Sequence, residues 1–241
     1  MGASGGTLSV KGRSFIVTGG TRGIGRALAA GFLREGARVA ISGRHRKTVD
    51  ETVESLRGGA GEILGVAGDL GVDAQAKALM EAALGRFGTV DYLVNNAGLL
   101  VKPKYLVETT QQEWEEVLRT NVIGTVNMIR HVLPGMEKRG QGVIINLSSG
   151  WGHFGAPRVA SYCASKFAVE GLTQSVAAEV TKGVVVIALR PGIIVTDMLR
   201  DAFEGEVEGY PAPEELVPRW LRFFEKVEPS WNGKSLELDR F

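Results

Sequence analysis

Tyr162 and Lys166 are the residues whose types and spacing best suit proton-transfer chemistry. They lie four positions apart, so both side chains share one face if the segment is helical. A lysine ammonium beside a phenol favours the phenolate, so the spacing predicts that Lys166 lowers the pKa of Tyr162 from about 10. Such a tyrosine could exchange a proton with a substrate oxygen near neutral pH. Taken alone, the same spacing also fits an ordinary surface pair.

A glycine-rich turn near the start of the chain could bind a phosphate group. It reads T-G-G-T-R-G-I-G and lies between an apolar segment and a helical pattern. Glycines let backbone N–H groups approach a pyrophosphate, and a helix N-terminus adds favourable positive potential. The alternative is a tight turn without a ligand. The residues that this prediction places at the cofactor are Thr18, Gly19, Thr21, Arg22, Gly23, Ile24 and Gly25.

The end of the second predicted strand indicates which dinucleotide the turn would bind. An NAD-binding protein needs a carboxylate here for the ribose hydroxyls, but the residues are Ser42, Gly43 and Arg44. A hydroxyl and a guanidinium suit a 2′-phosphate, which a carboxylate would repel. Arg22 can supply a second positive charge. The sequence therefore predicts NADP as the cofactor; the alternative for Arg44 is a solvated surface cation.

Short apolar segments alternate with longer helical patterns and must position these residues. Seven segments indicate strands: 14–18, 38–42, 63–69, 90–95, 142–148, 184–190 and 235–238. Helical patterns cover 28–34, 47–57 and 73–87, and Thr110 with Glu113 forms a capping box that begins another helix. The strands are apolar nearly throughout, as is typical of strands covered on both faces. We predict an α/β fold: a doubly wound, Rossmann-type parallel sheet of seven strands with helices on both faces.

The late part of the chain departs from this alternation. No repeat or linker divides the sequence, so we expect one dinucleotide-binding domain over 1–241. The acidic segment 199–213, with two glycines and two prolines, predicts a mobile loop. Trp220, Phe223 and Phe224 follow at helical spacing. They predict a stripe that packs on the core or, alternatively, part of a substrate lid over 199–230.

The composition excludes several classes of function. Among 241 residues the net charge is +1, which indicates neither a nucleic-acid nor a membrane partner. One cysteine excludes an internal disulfide framework, and three histidines without ligand spacing predict no metal site. The first ten residues lack a signal-peptide pattern, and the apolar runs are too short to span a bilayer. We expect a cytoplasmic protein.

Taken together, the motifs resemble those of the short-chain dehydrogenase/reductase family. They run in the family's order and spacing over most of the chain, from Thr18 to Met198. The motifs are T-G-x-x-x-G-x-G from Thr18, Asp69-Leu70, N-N-A-G from Asn95, the single Asn121, Ser148-Ser149, Y-x-x-x-K from Tyr162, and P-G-x-x-x-T from Pro191. The resemblance implies a hydride transfer between NADP(H) and a carbonyl or alcohol substrate, in a homodimer or homotetramer.

The resemblance also implies a role for each reactive residue. Tyr162 would be the general acid/base, and Lys166 would lower its pKa and hold the nicotinamide ribose. Ser149, thirteen residues before the tyrosine, would polarise the carbonyl, whereas Ser148 could make a structural hydrogen bond. Asn121 would interrupt a helix and complete a proton relay.

The remaining motif residues would contact the cofactor. Asp69, followed by Leu70, would accept a hydrogen bond from the adenine amine. The residues expected along the cofactor groove are Asn95, Ala97 and Gly98, and those expected around the nicotinamide carboxamide are Pro191, Gly192, Ile194 and Thr196. Without the family pattern, each of these would be an ordinary turn or strand-end residue.

Two features are individual to this chain. Many relatives carry D-G-G beyond the last strand, but this sequence ends at Leu238, Asp239, Arg240 and Phe241, which puts the family's usual C-terminal packing and part of its common tetramer contact in doubt. Trp151 and Phe154 follow Ser149, where substrate specificity is often built, although they could also serve only for packing. We expect a partly apolar substrate.

Two other functions share part of the pattern. A dinucleotide-binding regulator without turnover would keep the glycine turn but would not need all four residues Asn121, Ser149, Tyr162 and Lys166. A sugar-nucleotide epimerase also uses Tyr-x-x-x-Lys, but it normally needs a larger C-terminal region than the residues that follow Thr196. The sequence favours an enzyme that acts on CH–OH or C=O groups.

Overall fold

The computed structural model describes residues 10–202, 207 and 209–241. Its strands are β1 (Ser14–Val17), β2 (Arg38–Gly43), β3 (Glu62–Ala67), β4 (Tyr92–Asn95), β5 (Gly142–Leu147), β6 (Val184–Arg190) and β7 (Ser235–Glu237). Each strand coincides, within two residues at either end, with a segment that the sequence predicts as a strand.

The seven strands form one parallel sheet in the order β3-β2-β1-β4-β5-β6-β7. The order runs outward from β1 in one direction and from β4 in the other. Parallel strands of this kind bind ligands in the crevice outside their carboxyl ends, at the point where the order reverses. The Gly19 turn follows β1 and the Asn95 segment ends β4, so the two predicted cofactor motifs meet at that point.

Helices cover both faces of the sheet, as the sequence predicts. They are α1 (Gly23–Arg34), α2 (Arg46–Leu56), α3 (Asp73–Phe87), α4 (Gln111–Leu118), α5 (Gly124–Arg139), α6 (Ala160–Glu179), α7 (Asp197–Ala202) and α8 (Val217–Lys226). One buried cluster lies between the sheet and α1 and α8, and the other lies between the sheet and α3, α5 and α6. Successive β1 residues alternate between them: Phe15 and Val17 join the first cluster and Ile16 the second. This alternation explains why the strand is apolar throughout.

The aromatic stripe on α8 is part of the core. Trp220, Phe223 and Phe224 are all buried, and the Phe224 ring contacts those of Phe15 and Phe32 at centroid distances of 5.7 and 5.0 Å. The prediction that this stripe packs on the core is thus confirmed for these three side chains. They are therefore not available to cover a substrate.

The segment after β6 is more ordered than the sequence predicts. Residues 197–202 form the short helix α7, and the backbone N–H of Val195 donates to the Pro211 carbonyl. Residues 203–206 and 208 lie outside the described residues. The expected mobile loop therefore stays a prediction for the middle of this segment only.

The C-terminal residues pack against α8. The Phe241 ring lies 5.1 Å from those of Phe223 and Trp231, and Asp239 pairs with Arg219 on α8. These contacts hold the residues after β7 against α8.

Candidate active site

The turn between β1 and α1 brings two backbone segments into close contact. Gly19 has a φ of +64°, and a Cβ atom there would lie 2.8 Å from the Cα of Ala97. A Cβ at Gly25 would lie 2.5 Å from the Gly19 carbonyl oxygen. Side chains at either position would force the turn away from the loop after β4. The glycines thus form a tight cradle at the carboxyl ends of β1 and β4.

The N-terminus of α1 is available for an anion. Arg22 is the N-cap residue, and its guanidinium has no acceptor atom that could cap the helix. Thr21 and Ile24 lie on either side, partly buried. The leading N–H groups of the helix lack intrahelical partners, so they suit a phosphate group.

Thr18 links the two loops of the cradle. Its Oγ1 accepts hydrogen bonds from the backbone N–H groups of Asn96 and Ala97, at 3.0 and 2.9 Å. The Nδ2 of Asn96 in turn donates to the carbonyl oxygens of Thr18 and Gly19. Because Thr18 is buried, the structure gives it a positioning function within the turn.

Asn95 is turned into the sheet. Its Nδ2 donates 2.8 Å to Oδ1 of Asn146 on β5, and Asn146 continues to Thr173 on α6. The sequence predicts Asn95, Ala97 and Gly98 along the cofactor groove, but not Asn96. The repeated asparagine was the available signal, but only the fold reveals that Asn96 is the one that bonds to the glycine turn.

The two arginines expected near a 2′-phosphate are free of ion pairs among the described residues. Arg44 and Arg22 are both exposed. By contrast, Arg46 pairs with Asp50 at 2.9 Å, and Lys47 pairs with Glu51 at 3.8 Å. Of these four cations, Arg22 and Arg44 are the two without an ion pair.

Ser42 is not exposed beside Arg44. It is 2% exposed, and its Oγ accepts a 3.3 Å hydrogen bond from the N–H of Gly19. Its carbonyl oxygen accepts from the N–H of Gly20. The sequence predicts that the Ser42 hydroxyl contacts the 2′-phosphate. In the structure this hydroxyl lies beneath the glycine turn and bonds to its backbone.

The Asp69 carboxylate is held in place at the end of β3. Its Oδ2 pairs with Arg119 at 2.7 Å, and its Oδ1 accepts from the N–H of Gly71. Leu70 is buried, and its carbonyl accepts from Nδ2 of Asn127. No pattern in the sequence indicates Arg119, which lies fifty positions after Asp69.

Tyr162 and Lys166 lie one turn apart on α6, with both side chains on one face. Nζ of Lys166 is 5.4 Å from the centre of the Tyr162 ring and donates a 2.7 Å hydrogen bond to the carbonyl oxygen of Leu147. Lys166 is buried, and Tyr162 is largely buried. The predicted pair is therefore present, and the ammonium lies between the phenol ring and the end of β5.

The predicted effect of Lys166 on Tyr162 is wrong for the chain alone. Burial raises the pKa of the Tyr162 phenol to about 12; the neighbouring Cys163 adds to this, and a hydrogen bond with Ser149 opposes it. Burial also lowers the pKa of Lys166 to about 8, which the Glu170 carboxylate partly counteracts. Burial dominates because each charged form loses hydration that a single neighbour does not replace. In the absence of other charges, Tyr162 is a protonated donor.

The two serines at the end of β5 have different surroundings. The Ser149 hydroxyl is close enough to Tyr162 to lower its pKa, and its Oγ accepts a 3.2 Å hydrogen bond from the N–H of Trp151. The adjacent Ser148 is buried, but its Oγ has no hydrogen-bond partner among the described residues. The structural hydrogen bond suggested for Ser148 is thus not made.

Asn121 interrupts a helix, as expected. A π-helical turn, Arg119–Ile123, separates α4 from α5, and Asn121 is buried within it. Its Oδ1 accepts from the N–H of Leu99 at 2.7 Å, and its Nδ2 donates to the Leu99 carbonyl and to Ser165 Oγ. The amide thereby joins the loop after β4 to helix α6.

The segment after β6 completes the groove opposite the Asn95 loop. Gly192 has a φ of +86°, while Pro191 and Ile194 are buried. Thr196 Cγ2 lies 3.3 Å from where a Cβ on Gly23 would be, and Met198 Cε lies 3.9 Å from the corresponding position at Gly98. The expected nicotinamide segment therefore closely approaches both halves of the cradle.

Neither a metal cluster nor a membrane span was found in the described part of the chain. No group of three or more histidine, cysteine, aspartate or glutamate side chains could hold a metal ion among residues 10–202, 207 and 209–241. Over the same residues, no helix combines the length and apolar character that crossing a bilayer requires.

Comparison with known proteins assigns the family. A family model described as short chain dehydrogenase matches residues 13–207. The chain belongs to the short-chain dehydrogenase/reductase family. It is therefore an oxidoreductase of a family that binds NAD(P) and transfers hydride.

Three similar short-chain dehydrogenases/reductases span almost the whole chain. An NADPH-dependent pterin aldehyde reductase of Arabidopsis thaliana is 35% identical and covers 95% of this chain and 94% of its own. A proposed NAD(P)-dependent gluconate 5-dehydrogenase from Beutenbergia cavernae, solved with bound NADP at low occupancy, has a TM-score of 0.86, 33% identity and 97% coverage of both chains. A 3-ketoacyl-(acyl-carrier-protein) reductase from Brucella melitensis in complex with NADH has a TM-score of 0.86, 28% identity, and coverage of 95% of this chain and 97% of its own. These relatives differ in both substrate and cofactor.

Proposed function

We propose that this protein is an NADP(H)-dependent reductase of small carbonyl compounds, with Ser149, Tyr162, Lys166 and Asn121 as its reactive set. The observation that carries the proposal is the proximity of three of these groups. The Ser149 hydroxyl is close enough to the Tyr162 phenol to lower its pKa, and the Lys166 ammonium lies 5.4 Å from the centre of the same ring. A dinucleotide-binding regulator would not require this arrangement.

NADP fits the residues that line the groove. The glycine cradle and the uncapped start of α1 suit the pyrophosphate, and Arg22 and Arg44 supply two unpaired cations for the 2′-phosphate. Asp69, held by Arg119, would face the adenine, and Pro191–Thr196 would face the carboxamide. Thr18, Asn95 and Ser42 would support the groove from beneath, and Leu70, Ala97, Gly98 and Ile24 would line it.

The chain's own residues supply polarisation and the proton. When bound, NADPH supplies the hydride that adds to the carbonyl carbon. Ser149 and Tyr162 donate hydrogen bonds to the carbonyl oxygen, where negative charge develops. Tyr162 then transfers its proton to that oxygen, which gives the alcohol. Its raised pKa means that the proton is present at neutral pH.

Lys166 and Asn121 support this step by binding the cofactor and by restoring the proton of Tyr162. One of the three N–H groups of Lys166 is used by the Leu147 carbonyl, which leaves two for the nicotinamide ribose hydroxyls. Asn121 holds the Leu99 loop and, through Ser165, helix α6. We assign it to a relay that restores the Tyr162 proton by way of Lys166.

An aromatic surface beside Ser149 favours flat, partly apolar aldehydes as substrates. The Trp151 ring meets that of Tyr162 edge-on, with centroids 5.9 Å apart, and Phe154 is 58% exposed. Rings of this kind bind planar aromatic groups by stacking. The pterin aldehyde relative acts on a substrate of this shape. We propose aromatic and heteroaromatic aldehydes, with 3-oxoacyl thioesters as the second candidate class.

The decisive experiment compares Tyr162→Phe with the wild type. We expect NADPH oxidation with an aromatic aldehyde to fall by about 100- to 10,000-fold, because the general acid is lost. NADPH binding, followed by its fluorescence, should change less than threefold. Ser149→Ala should lower the rate as well, and Ser148→Ala, a neighbouring variant of a hydroxyl without a partner, should not.

Three outcomes would contradict the proposal. Undiminished turnover by Tyr162→Phe would reject the mechanism. Tight NADPH binding without turnover over a panel of ketones, aldehydes, quinones and acyl thioesters would favour the regulator. Interconversion of sugar nucleotides without net NADPH consumption would favour the epimerase.

A further inference from the structure

A second polar cluster lies behind Lys166, on the side away from Tyr162. Glu170 is one helical turn beyond Lys166 on α6 and is buried. Its Oε1 lies 3.0 Å from Nε2 of His153 and accepts a 3.0 Å hydrogen bond from Oγ of Ser235. His153 and Ser235 are also 3.1 Å apart. The cluster joins α6, the segment after β5 and strand β7.

The close approach of the segment after β5 depends on Gly152. A Cβ at this position would lie 2.8 Å from Ser148 Oγ, 3.1 Å from the Lys166 carbonyl oxygen and 3.2 Å from Glu170 Cγ. Any side chain there would push the segment off α6. Glycine thus allows His153, the next residue, to reach the buried carboxylate.

Glu170 is the one charged neighbour that has a resolved effect on Lys166 among the described residues. It stabilises the ammonium, against the effect of burial. The other ionisable groups beside this pair are Tyr162 from α6, which lies next to Lys166 and is itself affected by Cys163, and His153 from the segment after β5, which lies next to Glu170. Strand β5 contributes the Leu147 carbonyl and β7 the uncharged Ser235 hydroxyl.

We propose that Glu170, oriented by His153 and Ser235, is a positioning residue that keeps Lys166 charged and directed at the nicotinamide ribose. This inference rests on the proposed role of Lys166. A buried carboxylate is costly unless it is hydrogen-bonded, and two donors here converge on one of its oxygens. A merely structural tie between α6 and β7 would not require a carboxylate one turn from Lys166.

The test measures the titration of Lys166 directly, without turnover. The Cε signal of Lys166 is followed by NMR from pH 6 to 10 in the full chain labelled with ¹³C-lysine, and Lys166→Met identifies the signal. We expect Glu170→Gln to move the midpoint about one pH unit lower, since one nearby charge is lost. If the amide variant does not fold, Glu170→Met removes the same charge with apolar packing retained.

Two matched variants separate this role from a structural one. Ser235→Ala breaks the link to β7 but keeps the carboxylate, so the Lys166 midpoint should move by less than about 0.3 units. Glu170→Asp keeps the charge and should give a midpoint between those of wild type and Glu170→Gln. An unchanged midpoint in Glu170→Gln, or an equal shift in Ser235→Ala, would overturn the proposal.

The pH profile of kcat/KM for aldehyde reduction provides the functional readout. Its alkaline limb should move in Glu170→Gln by the same amount as the NMR midpoint. If the wild type proved inactive, the proposed function would fail while the titration result stood. A shifted titration with an unmoved alkaline limb would reject the link between Glu170 and the reaction.

Discussion

Lys166 donates its hydrogen bond to the carbonyl oxygen of Leu147, the last residue of β5. The bond draws a buried ammonium from α6 to the carboxyl end of the sheet, next to Ser148 and Ser149. Since the ammonium gives up hydration there, burial lowers the pKa of Lys166 to about 8. The buried Lys166 side chain therefore destabilises the fold while it is charged.

This cost predicts how stability depends on pH. Between the folded pKa of about 8 and the unfolded value near 10.5, the unfolded chain holds a proton that the folded chain has released. The free energy of unfolding therefore rises with pH in this interval. We expect the free energy of unfolding of Lys166→Met, relative to that of wild type, to be about 3 kcal/mol higher at pH 7 than above pH 10.5. This relative gain should be roughly halved by pH 9.5.

Urea unfolding of both proteins from pH 7 to 9.5 measures this difference. The test is how this difference in the free energy of unfolding changes with pH, because the lost hydrogen bond to Leu147 contributes equally at every pH. Lys47→Met, at an exposed position, serves as the control and should leave the slope unchanged. A constant difference between wild type and Lys166→Met would show that the buried ammonium has an ordinary pKa.

Arg44 should decide between the two dinucleotides. Arg44→Ala removes an unpaired guanidinium from the proposed 2′-phosphate site, so NADPH affinity should fall by roughly 10- to 100-fold. NADH affinity should change less than twofold. Arg46→Ala, two positions on, removes a guanidinium already paired with Asp50 and should affect neither cofactor. Equal losses for NADH and NADPH would place the phosphate elsewhere.

Thr18 should contribute to stability and to cofactor binding at once. Thr18→Val leaves the N–H groups of Asn96 and Ala97 without their acceptor, at a cost of about 2–4 kcal/mol in the free energy of unfolding. NADPH affinity should drop because the Gly19 turn and the Asn96 loop separate. Thr18→Ser, which keeps the oxygen, should recover most of both. Urea unfolding measures the stability and NADPH fluorescence titration measures the affinity. A fully stable Thr18→Val would contradict the proposed link between the two loops.

Trp220 should behave as a core residue. Trp220→Ala should lower the free energy of unfolding by about 3–5 kcal/mol, because its ring is buried against Phe223 and Phe224. The kcat of the folded fraction should stay near that of wild type. Phe154→Ala offers the opposite case: an exposed ring whose loss should change stability by less than about 0.5 kcal/mol but raise KM for aromatic aldehydes. A stable Trp220→Ala with altered KM would restore the lid alternative.

Much of the fold could be read from local patterns. The apolar runs at β1, β5 and β6 and the capping box at Thr110 depend on residues near each other in sequence, and each appears in the structure. The order of the motifs sufficed to identify the family, and Tyr162 with Lys166 needed only the geometry of one helix. These features follow from periodicity and short-range hydrogen bonding.

Other features depend on groups that the sequence separates widely. The pairing of Asp69 with Arg119, the bonds from Thr18 to the Asn96 loop and the contact of His153 with Glu170 arise only when distant segments meet. The pKa of Tyr162 was mispredicted for the same reason. Adjacency to Lys166 is visible in the sequence, whereas burial is set by everything that packs around the site, and at this site the loss of hydration outweighs one neighbouring charge.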